Sequence, residues 1–233
     1  MDDKWIFSFR KRPPIEGEPI TLDEAEKFLL AKLNDPDGNP HGARLELVRF
    51  YGSTGRMADA MRYAEEYLAG STDIKEKAEM YFHQGQMMEG VKDWESALLF
   101  YKKALELGSQ VEINRYFLHN NIGYSLNRLE RYCEAEPHLR EAIRLDPSRA
   151  NAFKNLGLSL EGQGKYGDAA RSFIEAVRAD ASDPRALKHL EELAGQHKEA
   201  YADIPDLDYQ ISKCREAVVY VASKRPAPPF LIH

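Results

Sequence analysis

The chain has 233 residues, 43% of them apolar and 30% charged, with a formal net charge of −6. That length and balance suit a soluble protein with one or two cores, and the net acidity excludes binding that rests on clustered Lys and Arg at phosphates, so no nucleic-acid partner is expected. No run of about 18 apolar residues occurs, which excludes an inserted membrane helix. The Met1-Asp2-Asp3 start has acids where a secretory leader has bases, and two separated cysteines, Cys133 and Cys214, fit a reducing, cytoplasmic setting.

Residues 1–20 read as an N-terminal extension and linker, with apolar alternation over Trp5–Phe9 and then Arg10-Lys11-Arg12-Pro13-Pro14, where paired prolines oppose regular structure. Residues 21–40 read as a helix and a turn. Thr21-Leu22-Asp23-Glu24 is a capping box, Leu22, Ala25, Phe28, Leu29 and Leu33 make an apolar stripe, and Asn34–Pro40 stops it. Four similar units follow, at 41–74, 78–111, 116–149 and 150–183. Asp73-Ile74-Lys75-Glu76 reads as a second capping box at a lengthened helix start. Residues 184–224 read as capping helices: Asp183-Pro184 opens the first, and Leu207, Ile211, Cys214, Val218, Val221 and Ala222 form the buried face of the last. Residues 225–233 are a proline-rich tail with an apolar Phe230-Leu231-Ile232 tip.

The units at 116–149 and 150–183 repeat each other. Asn121-Ile122-Gly123, Leu126, Tyr132, Ala135, Leu139 and Ala142-Ile143 recur 34 positions later as Asn155-Leu156-Gly157, Leu160, Tyr166, Ala169, Phe173 and Ala176-Val177. The earlier units carry Ala60 and Ala97 in phase, so the alanine intervals are 37, 38 and 34. The pattern resembles the tetratricopeptide repeat. The resemblance implies an all-α fold, a right-handed superhelical solenoid of antiparallel helix pairs (helix A and helix B of each repeat). In it Gly85, Gly123 and Gly157 would face Ala97, Ala135 and Ala169, and Trp94, Tyr132 and Tyr166 would be core residues.

No catalytic or metal constellation emerges, so no enzyme, metal or cofactor is expected. Cys133 and His138 do not share a helix face. His189 and Glu192 do, but one such pair is common on an exposed helix, and Gly52–Arg56 lacks the core of a phosphate loop and reads as a turn. The resemblance instead implies an adaptor or scaffold that holds a peptide on the inner face formed by the A helices. Carried over to this sequence, the peptide-binding candidates are Asn120, Asn121, Tyr124, Asn127, Arg128, Asn151, Lys154, Asn155, Arg185 and Lys188. Amides both donate to and accept from an extended backbone, and the bases suit an acidic or C-terminal peptide. Leu45, Glu46, Arg49, Glu79, Phe82, His83, Gln86 and Glu89 line the N-terminal half, of mixed or acidic character, and Phe117, Leu158, Glu161, Gly162, His189 and Glu192 complete the C-terminal half.

Two alternatives stand beside the adaptor. One is self-assembly into a homo-oligomer through the apolar termini. The other is a co-chaperone or secretion-chaperone role. The two-carboxylate clamp of chaperone-binding relatives would fall on Asn120, Tyr124, Asn155, Arg185 and His189, where only Asn155 matches outright and Arg185 matches by charge.

Overall fold

The computed structural model describes residues 21–108, 115–204 and 206–224. Among them are twelve helices and no strand: α1 (Leu22–Leu33), α2 (Pro40–Ser53), α3 (Met57–Gly70), α4 (Ile74–Gly90), α5 (Trp94–Leu107), α6 (Arg115–Arg128), α7 (Tyr132–Leu145), α8 (Ala150–Gly162), α9 (Tyr166–Ala179), α10 (Arg185–Gln196), α11 (Glu199–Asp203) and α12 (Leu207–Ser223). The chain is an all-α solenoid of antiparallel pairs: α2 packs on α3, α4 on α5, α6 on α7 and α8 on α9, while α5 leans on α6 and α7 on α8. The extension with Trp5–Phe9 and the tail with Phe230–Ile232, on which the self-assembly alternative rests, lie outside the described residues.

The same tight turn joins the two helices of each pair. It places Gly55 at φ +77°, Lys92 at +63°, Glu130 at +58° and Gly164 at +75°. Only this left-handed backbone reverses the chain so sharply, and glycine adopts it without the side-chain cost that Lys92 and Glu130 bear. The helix starts follow local chemistry. Thr21 and Glu24 cap each other reciprocally, as the capping box requires. At α4 only half of that arrangement forms. Asp73 accepts from the Lys75 and Glu76 N–H groups, but the Glu76 carboxylate turns to the Ser71 hydroxyl at 2.7 Å and to His41 at 3.0 Å.

The packing within each pair differs from the expectation in its partners. A Cβ built on Gly85 would run into the Tyr101 ring, one on Gly123 into Leu139, and one on Gly157 into Phe173. The glycines therefore make room for the large residue one turn beyond the alanine. Ala97, Ala135 and Ala169 are nonetheless fully buried, because any larger side chain would push the paired helices apart. Tyr101, Leu139 and Phe173 are also at 0% exposure, and burying each one stabilises the stack by roughly 1.5–3 kcal/mol.

Trp94, Tyr132 and Tyr166 are half-buried rather than core residues. Each reaches forward to the next repeat: Trp94 meets Tyr124 edge-on at 5.7 Å, the Tyr132 ring sits against Gly162, and Tyr166 stacks on His197 at 3.7 Å. They stitch neighbouring repeats together.

The ends have a neighbour on one side only. In α1, Leu29 alone is buried, and Phe28 faces out beneath the Lys32 ammonium. In α12, Leu207, Ile211 and Cys214 are buried, Val218 and Val221 are half-buried, and Ala222 is exposed. The short α11 was not foreseen. It packs mainly on α9, and α12 follows it onto α9 and α10.

Candidate functional site

Helices α2, α4, α6, α8 and α10 are the A helices, and the sequence-derived candidates lie on the last three. Five hydrogen bonds tie them into one line. The Tyr101 hydroxyl donates to Glu89 Oε2 at 2.7 Å, and Asn121 Nδ2 donates to that hydroxyl at 3.3 Å. Asn120 Nδ2 donates to Asn121 Oδ1 at 3.1 Å, Asn155 Nδ2 to Asn120 Oδ1 at 3.0 Å, and Asn127 Nδ2 to the Asn155 carbonyl at 2.8 Å. The line runs from α4 through α5 and α6 to α8. Asn120 and Asn155 are buried in it, and the Asn155 amide donates to Asn120 while the Asn120 amide donates to Asn121, so these buried polar groups are satisfied within the chain. Burial and the adjacent Glu89 carboxylate push the Tyr101 hydroxyl well above its ordinary range, so it remains a donor.

The remaining candidates stand above this floor. Tyr124 is half-buried against Trp94, and Arg128 is exposed with its guanidinium 5.2 Å from the Trp94 ring. Asn151 is exposed and accepts from Lys154 Nζ at 3.3 Å. The cations expected to meet an acidic peptide already face carboxylates of the chain. Lys154 lies 3.7 Å from Asp183, with both side chains under 15% exposed, and Arg185 grips the same carboxylate through two nitrogens, the closest at 2.7 Å. Burial alone would raise the Asp183 carboxyl, but these cations and the Arg185 N–H hold it down at about 2. Lys188, 74% exposed, is 3.7 Å from Glu192.

A repeating helical floor of this kind has a known family. The tetratricopeptide-repeat family model matches residues 120–184, which is α6 to the end of the turn after α9. The chain has the tetratricopeptide-repeat (TPR) fold, and residues 120–184 carry the pattern of that family. No curated protein sequence matches it. Among solved structures, it is similar to the fragment of MamA from residue 41 to its end from Desulfovibrio magneticus RS-1, with a TM-score of 0.64, 19% identity, and coverage of 81% of this chain and 99% of that one. A second MamA crystal structure gives a TM-score of 0.65 at 16% identity, covering 81% and 97%. YrrB, described as a TPR protein with an unusual peptide-binding site, gives a TM-score of 0.59 at 16% identity, covering 87% and 100%. At these identities the likeness carries the superhelical TPR fold.

Two features of this TPR face were not among the chosen candidates. Glu89 and Glu161 occupy the same place, the twelfth residue of their repeats, and both are half-buried. Burial pushes both carboxyls up; the Tyr101 hydroxyl opposes this at Glu89, and at Glu161 His197 opposes it while Glu192 adds to it. The second feature joins the two helices of the third repeat. His119 on α6 is buried with Nδ1 3.1 Å from His138 Nδ1 on α7, and its Nε2 has no hydrogen-bond partner among the described residues. The carboxylates were visible as lining positions. Comparing each histidine with the facing helix, instead of with Cys133, would have found the pair.

Among the described residues no group of three or more His, Cys, Asp or Glu is placed to hold a metal ion, and no helix is long and apolar enough to cross a membrane. Cys133 is exposed and Cys214 buried, and neither is in a disulfide.

Proposed function

We infer that this TPR-fold chain is a non-enzymatic adaptor that holds an extended peptide segment of a protein partner along α4, α6, α8 and α10. The observation that carries this reading is the hydrogen-bonded line from Glu89 to Asn127. It fixes the floor of the face in advance, so a peptide lying above it loses little additional freedom from the receptor side. Tyr124 stands on that floor as an aromatic contact, with Arg128 and Arg185 among the charges that act on it. YrrB, of like fold, is described as having a peptide-binding site, which supports the same use here.

Tyr124→Ala is expected to lower the recovery of a specific partner from native lysate about tenfold or more, in line with the cost of removing a central interface aromatic. Tyr209→Ala, which removes an exposed ring on α12 away from this face, is expected to leave recovery unchanged. Equal recovery with Tyr124→Ala and wild type would overturn the reading.

A further inference from the structure

The charges along the A-helix face are unevenly matched. Its cations have partners: Lys154 and Arg185 share Asp183, Lys188 lies near Glu192, and Arg128 lies over Trp94. Two of its carboxylates have no such match. Glu89 receives one hydrogen bond, from the Tyr101 hydroxyl, and no Lys or Arg of the described residues pairs with it. The Glu161 carboxylate forms no hydrogen bond among the described residues, and its charged neighbours are His197 and the like-charged Glu192. Both side chains are half-buried in the last turns of α4 and α8, two repeats apart and in the same register. A carboxylate taken partly out of water without a cation is costly to the free protein. The cost is met when a partner brings the cation, and it then becomes specificity.

We propose that the peptide held by this face carries two lysine or arginine side chains, one seated on Glu89 and the other on Glu161. This rests on the adaptor reading above and names the chemistry of its partner. Tyr101 holds Glu89 Oε2, so Oε1 is left for the incoming ammonium or guanidinium, and Tyr124 flanks the same place, near enough for the Glu89 charge to raise its hydroxyl pKa. Glu161 has both oxygens available, which suits a guanidinium donating through two nitrogens. The neutral amides of Asn120, Asn121 and Asn127 lie between the two carboxylates, where the peptide crosses α6.

The test is selection of a random peptide library on the full-length chain, followed by calorimetry with one selected peptide. Wild type is expected to enrich sequences with two basic positions. Glu89→Gln should abolish the preference at one position and Glu161→Gln at the other, and each should weaken the selected peptide about tenfold. Glutamine at 89 still accepts from Tyr101, and an unchanged melting temperature shows that each variant is folded. Affinity should also fall as the pH is lowered from 7 to 5, because a protonated carboxyl gives up the ion pair. Enrichment without basic positions, or basic positions that persist in both variants, overturns this proposal and leaves the adaptor reading standing. Failure to enrich any peptide overturns both.

Discussion

Ala169→Glu is expected to unfold the C-terminal half of the array. Ala169 is fully buried in α9, where it packs against α8 beside Phe173, itself at 0% exposure. A glutamate there would be an uncompensated charge in a closed apolar seam, a change that costs on the order of 3–5 kcal/mol. A domain of this size is stable by only about 5–15 kcal/mol. In a repeat array each unit also depends on its neighbours, so the loss spreads to the α6–α7 pair and to α10. Circular dichroism melting should show a transition lowered by roughly 6–20 °C or an early partial loss of helix. A melting curve like that of wild type would show that α8 and α9 do not meet at this seam.

The second large effect is a loss of stability in mild acid. Burial pushes His119 down to about 4, where the neighbouring His138 adds to the shift, and burial moves His138 in the same direction. Lys102 on α5, with Arg115 on α6 and Arg144 on α7, also face the pair with like charge, while Glu141 and Glu134 oppose them. An ordinary histidine titrates near 6.5. The unfolded chain therefore binds protons more readily than the folded one below that pH. The contribution of the neutral pair is complete above about pH 6.5 and is lost as the pH falls towards 4. The expected loss is about 3 kcal/mol across that window. A protonated His119 carries an N–H on both ring nitrogens, and its Nε2 has no acceptor among the described residues. Glu136 and Asp183, held down at about 2 by their cations, lose their contribution only at lower pH, as carboxylates protonate. Urea midpoints at pH 7.5, 6 and 5 should fall steadily for wild type and much less for His119→Phe. Equal pH profiles would remove the histidine pair from the account.

The repeat phase was legible in the sequence because small residues recur where two helices must approach. Ala60, Ala97, Ala135 and Ala169 fall at intervals of 37, 38 and 34, and the turns at Gly55, Lys92, Glu130 and Gly164 fall at the same intervals in the structure. The partner across the seam was not legible. The atoms nearest Gly157 belong to Phe173, one turn beyond Ala169, and periodicity within one helix does not report that offset. The candidate face shows the same limit. Its polar stripe on α6 and α8 was clear, but Asn120 and Asn155 turn from the open side to bond each other, and this depends on how closely α6 and α8 lie. The exposed Phe28 and Ala222 show the converse. An apolar stripe reads as buried until the neighbour that would cover it is missing.

Site-specific photo-crosslinking tests most directly whether the A-helix face is the working surface. A benzoylphenylalanine in place of Asn151, exposed on α8 above the hydrogen-bonded floor, is compared with one in place of Leu99, exposed on α5. Irradiation in native lysate is expected to give a discrete adduct from position 151 and none from position 99. An adduct from 99 with none from 151 would contradict the assignment of function to the face formed by α4, α6, α8 and α10.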